Sequence, residues 1–277
     1  MTKENINIYG KIIVAIFTGM AAWWIFININ SYQNTTNNFL YGAALGILPI
    51  ISSIFGLINA KKWGGFHSIM GKAVIFLSLG LLTWGVGTLV FAYYNIFLNV
   101  EVPYPSIADL FYIISWPLWS LSMVNLSKAT GVKFQLKKMS GRLALSVIPL
   151  ITILISYYML IVVARGGSGF IDLSGSLLKT FFDLAYPIGD VVILTIALLL
   201  YGLSFNYLGG RFKWPIIMVL MGFVMNYLGD FTFVYTVTKE TYFVANWVDL
   251  LYTITFFLIG LGISLLGPTF EKIKNNN

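Results

Sequence analysis

YPSIADLFYIISWPLWSL, residues 104–121, decides how this chain is read. Past Asp109 it is apolar and aromatic, with Pro117 inside it, and the next charge is Lys128. A run of this length and character is a candidate to cross the ~30 Å hydrocarbon core of a bilayer. Its one acid sits at the entrance.

The rest of the chain follows the same pattern. Of 277 residues, 58% are hydrophobic, 17% aromatic and only 10% charged, against about 25% charged in a soluble domain. The mean hydropathy is +0.84. These values describe an all-α polytopic membrane protein. There is no cysteine, which excludes a disulfide framework, a thiolate nucleophile and a Cys-ligated metal. A single histidine, His67, excludes bis-His haem, three-His zinc and most His-based catalysis. His67 is expected on a loop surface. The first apolar run, 12–29, is long enough to span and has no small-residue cleavage pattern after it, so no cleavable signal peptide is expected.

Runs of sufficient length fall at roughly 9–30, 39–60, 72–99, 106–127, 141–164, 177–204, 213–237 and 246–268. The expectation is eight transmembrane helices joined by short loops. Lys and Arg set the orientation. Lys3, Lys11, Lys61, Lys62, Lys72, Lys128, Lys133, Lys137, Lys138, Arg142, Arg211, Lys213, Lys272 and Lys274 fall on one side, and only Arg165, Lys179 and Lys239 on the other. Both termini are therefore expected in the cytoplasm of a cell-membrane protein. The net charge of +7 suits anionic lipid at the inner face, and nucleic acid is not needed as a partner.

Two stretches repeat. GLLTWGVGTLVFAYY (80–94) matches GFVMNYLGDFTFVYT (222–236), and ADLFYIISWPL (108–118) matches VDLLYTITFFL (248–258). Shared positions include Gly80/Gly222, Gly87/Gly229, Asp109/Asp249 and Tyr112/Tyr252. The chain is read as two four-helix halves, 1–134 and 135–277. Four spans per half is an even number, so the halves are expected to be parallel repeats about an axis along the membrane normal.

Five of the ten acids lie in spans or at their edges: Asp109, Asp183, Asp190, Asp230 and Asp249. With the orientation above, all five fall in the outer half or near the midplane. Ser106 to Asp109 reads as a capping box, with a hydroxyl N-cap and an acid at the third helical position. Asn246 to Asp249 reads as the same device, and the helix dipole favours both acids. FFDLAYPIGD (181–190) places Asp183 and Asp190 two turns apart on one face, with Pro187 between them removing a backbone hydrogen bond. Carboxylates at this depth cost several kcal/mol unless paired, hydrated or protonated. The bland alternative is hydration of Asp183 and a hydrogen bond from Ser, Tyr or Trp to Asp190. Asn226, Tyr227, Gly229 and Asp230 make span 7 the most polar of the deeper stretches. Tyr104, Tyr112, Trp116, Trp119, Tyr186, Tyr227, Tyr235, Trp247 and Tyr252 gather toward the outer half, as an aromatic belt and core packing or as the lining of an aromatic or lipid-like ligand site.

Hydrolase, metalloprotease and P-loop motifs are not found, and no span has the regular arginines of a voltage sensor. The combination P-S-x-A-D-x-x-Y-x-x-x-x-P (105–117), D-x-A-Y-P-x-x-D (183–190), a G-D span and W-x-D-x-x-Y (247–252) resembles the multi-span membrane regions that precede GGDEF or histidine-kinase domains in bacterial signalling proteins. The resemblance covers roughly 75–265. It implies a non-enzymatic sensory module. The sequence ends at Asn277 without an output domain, so a cytoplasmic or membrane signalling partner, or a homo-oligomer, is expected to carry the signal. The expected ligand-binding residues are Asp183, Asp190, Asp230, Asn226, Tyr186, Tyr227, Asp109, Asp249, Tyr112, Tyr252 and Trp116, for a small cationic or amphipathic ligand or for protons. A small secondary transporter or cation channel using the same acids, and a structural or assembly subunit, remain open alternatives.

Overall fold

The computed structural model describes residues 6–130, 132–167, 176–204 and 212–268. Lys3, Asp172, Arg211, Lys272 and Lys274 lie outside the described residues. Eight helices are long and apolar enough to span a membrane: α1 (Ile8–Ile29), α2 (Thr36–Lys62), α3 (Ile69–Leu98), α4 (Ile107–Ala129), α5 (Met139–Ala164), α6 (Leu177–Ser204), α7 (Lys213–Thr238) and α8 (Trp247–Leu265). No strand occurs among the described residues. α3 and α5 each end in a wider π turn, Tyr94–Leu98 and Tyr158–Ala164.

The helices start where local chemistry tells them to. Asn7 and Ser68 each accept a backbone N–H of the first turn at 2.8 Å. Thr35 and Asn38 close a capping box on α2, and Ser106 and Asp109 close one on α4, as expected. These side chains satisfy donors that a helix N-terminus leaves without intrahelical partners.

α8 is the central element. It packs against α1, α2 and α7, while α3 packs between α2 and α4. Both ends of α8 are held by side chains of the first two helices. At its N-terminal end, the Trp24 indole N–H donates to the Asn246 carbonyl at 2.9 Å, and Asn28 and Asn38 donate to the Ala245 and Val244 carbonyls at 3.1 and 2.8 Å. At its C-terminal end, Asn59 donates to the carbonyls of Ile263 and Ser264 at 3.0 Å each, Asn7 to Ser264 at 2.7 Å and Trp63 to Leu266 at 2.6 Å. The last carbonyls of a helix lack intrahelical donors and are costly to bury alone. Residues 7 and 266 thus lie at one end of the bundle, and residues 28, 38 and 245 at the other.

Small residues set the closest approaches. A Cβ on Gly46 would sit 2.9 Å from the Gly85 carbonyl oxygen, and one on Gly85 would sit 2.7 Å from that of Gly46. α2 and α3 therefore touch backbone to backbone, the usual device where lipid supplies no hydrophobic drive between helices. α6 and α7 meet along far less of their length. At the position that the sequence match pairs with Gly85, α7 carries Tyr227, whose hydroxyl reaches across to Ser156 of α5 at 2.9 Å. A side chain in place of a hydrogen prevents the α2–α3 kind of contact.

Candidate functional site

The five acids gather at the end of the bundle that holds residues 28, 38 and 245, on four different helices. Asp109, Asp183, Asp190 and Asp249 are buried, and Asp230 is partly buried.

Four of the five accept a hydrogen bond from a tyrosine hydroxyl. Tyr186 of α6 donates to Asp109 of α4 at 2.5 Å, and Tyr104 donates to Asp183 at 2.9 Å. Tyr252 of α8 donates to Asp230 of α7 at 2.7 Å, and Tyr242 donates to Asp249 at 3.2 Å. Three of these bonds join different segments of the bundle, and each carries the extra strength of a charged acceptor. Tyr112 lies within electrostatic reach of Asp109, Asp249 and Asp230 and donates instead to Thr88 at 3.3 Å.

Asp109 is more than a cap. Its Oδ2 takes the backbone N–H and hydroxyl of Ser106 at 2.6 and 2.9 Å, while Oδ1 takes Tyr186. The capping-box expectation for Asn246–Asp249 needs correction. Asn246 Oδ1 accepts from Val248 N–H at 2.9 Å, and the Asp249 carboxylate reaches one residue further back, to the Ala245 N–H at 2.6 Å. Ala245 has φ of 67°, which turns its N–H toward the acid.

Asp190 is the exception. It has no tyrosine donor, and its Oδ1 accepts no hydrogen bond although the residue is only 6% exposed. Its carboxyl lies against that of Asp230, within hydrogen-bonding reach. Asp230 is held from two further sides, by Tyr252 on Oδ1 and by the Asn226 amide on Oδ2 at 2.6 Å. That bond fixes the Asn226 amide orientation, and its Oδ1, 3% exposed, accepts nothing either. Two carboxyl oxygens in contact stay together only with a proton or a cation between them.

Rings wall this pair. Trp116 lies over Gly189, where any Cβ would collide with the indole, and meets Tyr186 edge to face at 5.1 Å. Tyr252 and Tyr112 each lie over a glycine, Gly229 and Gly87, at 2.9 Å from an added Cβ. Toward the opposite end comes a layer of Trp84, Trp119, Phe223 and Phe256, the last three fully buried, with Trp119–Phe223 centroids 5.3 Å and Trp84–Phe256 centroids 4.1 Å apart.

At the loop end, burial and then the Asp183 hydrogen bond push the Tyr104 hydroxyl pKa up, with Arg165 near enough to oppose them. Burial and then the charge of Asp249 do the same to Tyr242. Among the described residues, no group of three or more His, Cys, Asp or Glu side chains is placed to hold a metal ion. His67 is exposed at the other end, as expected.

The structure brings Asp190, Asp230, Asn226 and Tyr252 into one cluster and gathers Asp109, Tyr112, Trp116 and Tyr186 beside it. Tyr227 lies within electrostatic reach of Asp190. Asp183 is tied instead to the loop residue Tyr104, and Asp249 to Tyr242. Tyr104 and Tyr242 as acid partners, Thr88 and Trp84 were not singled out from sequence. Tyr242 and Asp249 are seven residues apart across a loop, which no helical spacing could flag.

Compared with protein families, curated proteins and solved structures, the chain matches none.

Proposed function

We propose that the chain is a non-enzymatic binding module of a cell membrane that takes protons or a small cationic ligand from its outer side at Asp190 and Asp230. The observation that carries this reading is the contact of two carboxyl groups in which the deeper acid, alone of five, has no tyrosine donor. Asp109, Asp183 and Asp249 serve to fasten helices and loops through Tyr186, Tyr104 and Tyr242, while Tyr252 holds Asp230 in place. Binding at the pair would shift Asp190 on α6 against Asp230 on α7, helices packed far more lightly on each other than α2 on α3 or α7 on α8. The buried aromatic layer beneath favours a site closed toward the inner face, hence sensing over conduction.

In this reading both termini are cytoplasmic and the acids face outward. The halves 1–134 and 135–277 are parallel repeats. Support comes from the recurrence of two arrangements: a tyrosine over a glycine (Tyr112 on Gly87, Tyr252 on Gly229), and its hydroxyl on the residue after that glycine (Thr88, Asp230). The halves differ where it matters, because α7 carries Asn226 and Asp230 opposite Trp84 and Thr88 of α3. The resemblance to membrane regions of bacterial signalling proteins agrees with a sensory role, with the signal passed to a cytoplasmic or membrane partner or within a homo-oligomer.

The test is a titration of the melting temperature in detergent against pH and against alkali cations, for the parent and Asp190→Asn. Asn keeps the shape and removes the charge, so the parent's dependence should be lost with the fold retained. Superimposable curves for the two proteins would remove Asp190 from the site. Cation or proton flux in proteoliposomes that disappears in Asp190→Asn would turn the reading to a transporter. Cysteines placed at Asn34 and Lys137 should label from opposite sides.

A further inference from the structure

We infer that Asp190, Asn226 and Asp230 form a binding site for one small monovalent cation of the sodium or lithium kind. The inference rests on the reading above and names the ligand of that same pair.

The argument is a count of donors and acceptors. Asp190 Oδ1 and Asn226 Oδ1 are both buried acceptors without a hydrogen-bond donor. Both residues reach the Asp230 carboxyl, Asp190 within hydrogen-bonding reach of it and Asn226 through its amide nitrogen, 2.6 Å from Oδ2. The Asn226 amide cannot turn to offer its nitrogen instead without giving up that bond. A proton on the pair bridges two carboxyl oxygens and leaves the other two acceptors bare. A cation takes several oxygens at once, and hard cations prefer oxygen ligands.

Charge and space narrow the choice. Two carboxyl groups in contact with one proton between them carry a net charge of −1, which one monovalent ion neutralises. The surrounding rings sit directly on Gly189 and Gly229, and such close packing suits a bare ion better than an organic amine.

The experiment uses the full chain in detergent at fixed neutral pH. Melting temperature is followed against NaCl, LiCl and KCl, with choline chloride holding the ionic strength constant. An ion that binds only the folded state raises the midpoint in a saturable way. Na⁺ or Li⁺ should do so over choline, with K⁺ weaker. Asn226→Leu should raise the half-saturating concentration about tenfold or more, as loss of a ligand to a charged group does. Coincident curves for all four salts in the parent would overturn the inference, and so would an unchanged half-saturation in Asn226→Leu. If Asn226→Leu fails to fold, the parent salt series decides alone. Flat salt curves with a pH dependence that Asp190→Asn still abolishes would overturn the cation while leaving the proton-binding reading standing. Flat salt and pH responses would overturn both.

Discussion

Tyr252→Phe and Tyr112→Phe remove one oxygen each from two rings in like surroundings. Both rings lie over a glycine at the same 2.9 Å. Both touch the same Trp84, at centroid distances of 5.4 and 5.2 Å. Phenylalanine preserves that packing, so the cost of each change reports the hydroxyl. Tyr252 donates to a carboxylate at 2.7 Å, a favourable O–H···O length. Tyr112 donates to the neutral Thr88 hydroxyl at 3.3 Å, beyond that length. A hydrogen bond to a charged group is worth about 1.5–3 kcal/mol in soluble proteins, while interhelical bonds in membranes average about 0.6 and reach about 1.7. The two ranges meet near 1.5 kcal/mol, the expected cost of Tyr252→Phe. Tyr112→Phe should cost about 0.5 kcal/mol or less, at the bottom of the neutral range. The gap of about 1 kcal/mol is roughly fivefold in the folded-to-unfolded ratio. The assay is equilibrium unfolding by SDS in mixed micelles, read as helicity. In an Asp230→Asn background the cost of Tyr252→Phe should shrink, because the pair acts as a unit. Equal costs for the two single changes, or a larger one for Tyr112→Phe, would refute the argument that the charged acceptor makes the difference.

Asp109→Asn should cost about 2–4 kcal/mol by the same assay, because it weakens a cap worth about 1 and a charged interhelical bond of about 1.5–3; a cost within the cap range alone would deny Tyr186 its role. Gly189→Ala should destabilise by about 1–3 kcal/mol through collision with Trp116, and Trp116→Leu in the same chain should recover most of it. Burial and the charge of Asp249 raise the Tyr242 pKa in the folded chain, so the unfolded chain releases that proton first. The stability this contributes is fully present below about pH 10, the unfolded value, and declines as pH rises toward the folded one. Melting temperature should therefore fall above about pH 10, and Tyr242→Phe should make the fall shallower than in the parent.

Eight spans and the start of α4 could be read from the chain because each depends on local sequence. An apolar run of some twenty residues has few alternatives to a helix across lipid. Ser106 and Asp109 are three residues apart, so their capping box closes within one turn. The Asn246–Asp249 box was misjudged for a reason that is also local but conformational: a left-handed Ala245 offers its N–H in place of that of Asn246. Which tyrosine meets which acid was decided only by tertiary structure. Tyr186 lies 77 residues from Asp109, and Tyr104 lies 79 from Asp183. In sequence those rings are indistinguishable from an aromatic belt. The separation of Asp190 from the other four acids was likewise invisible. Asp183, Asp190 and Asp230 look alike in sequence as carboxylates inside apolar runs, and what distinguishes Asp190 is that packing gave the others a hydroxyl and left this one with a second carboxyl instead. Helix formation uses hydrogen bonds within each span, so sequence reports it. A buried charge must find its partner across the bundle, and that partner is set by how the helices cross.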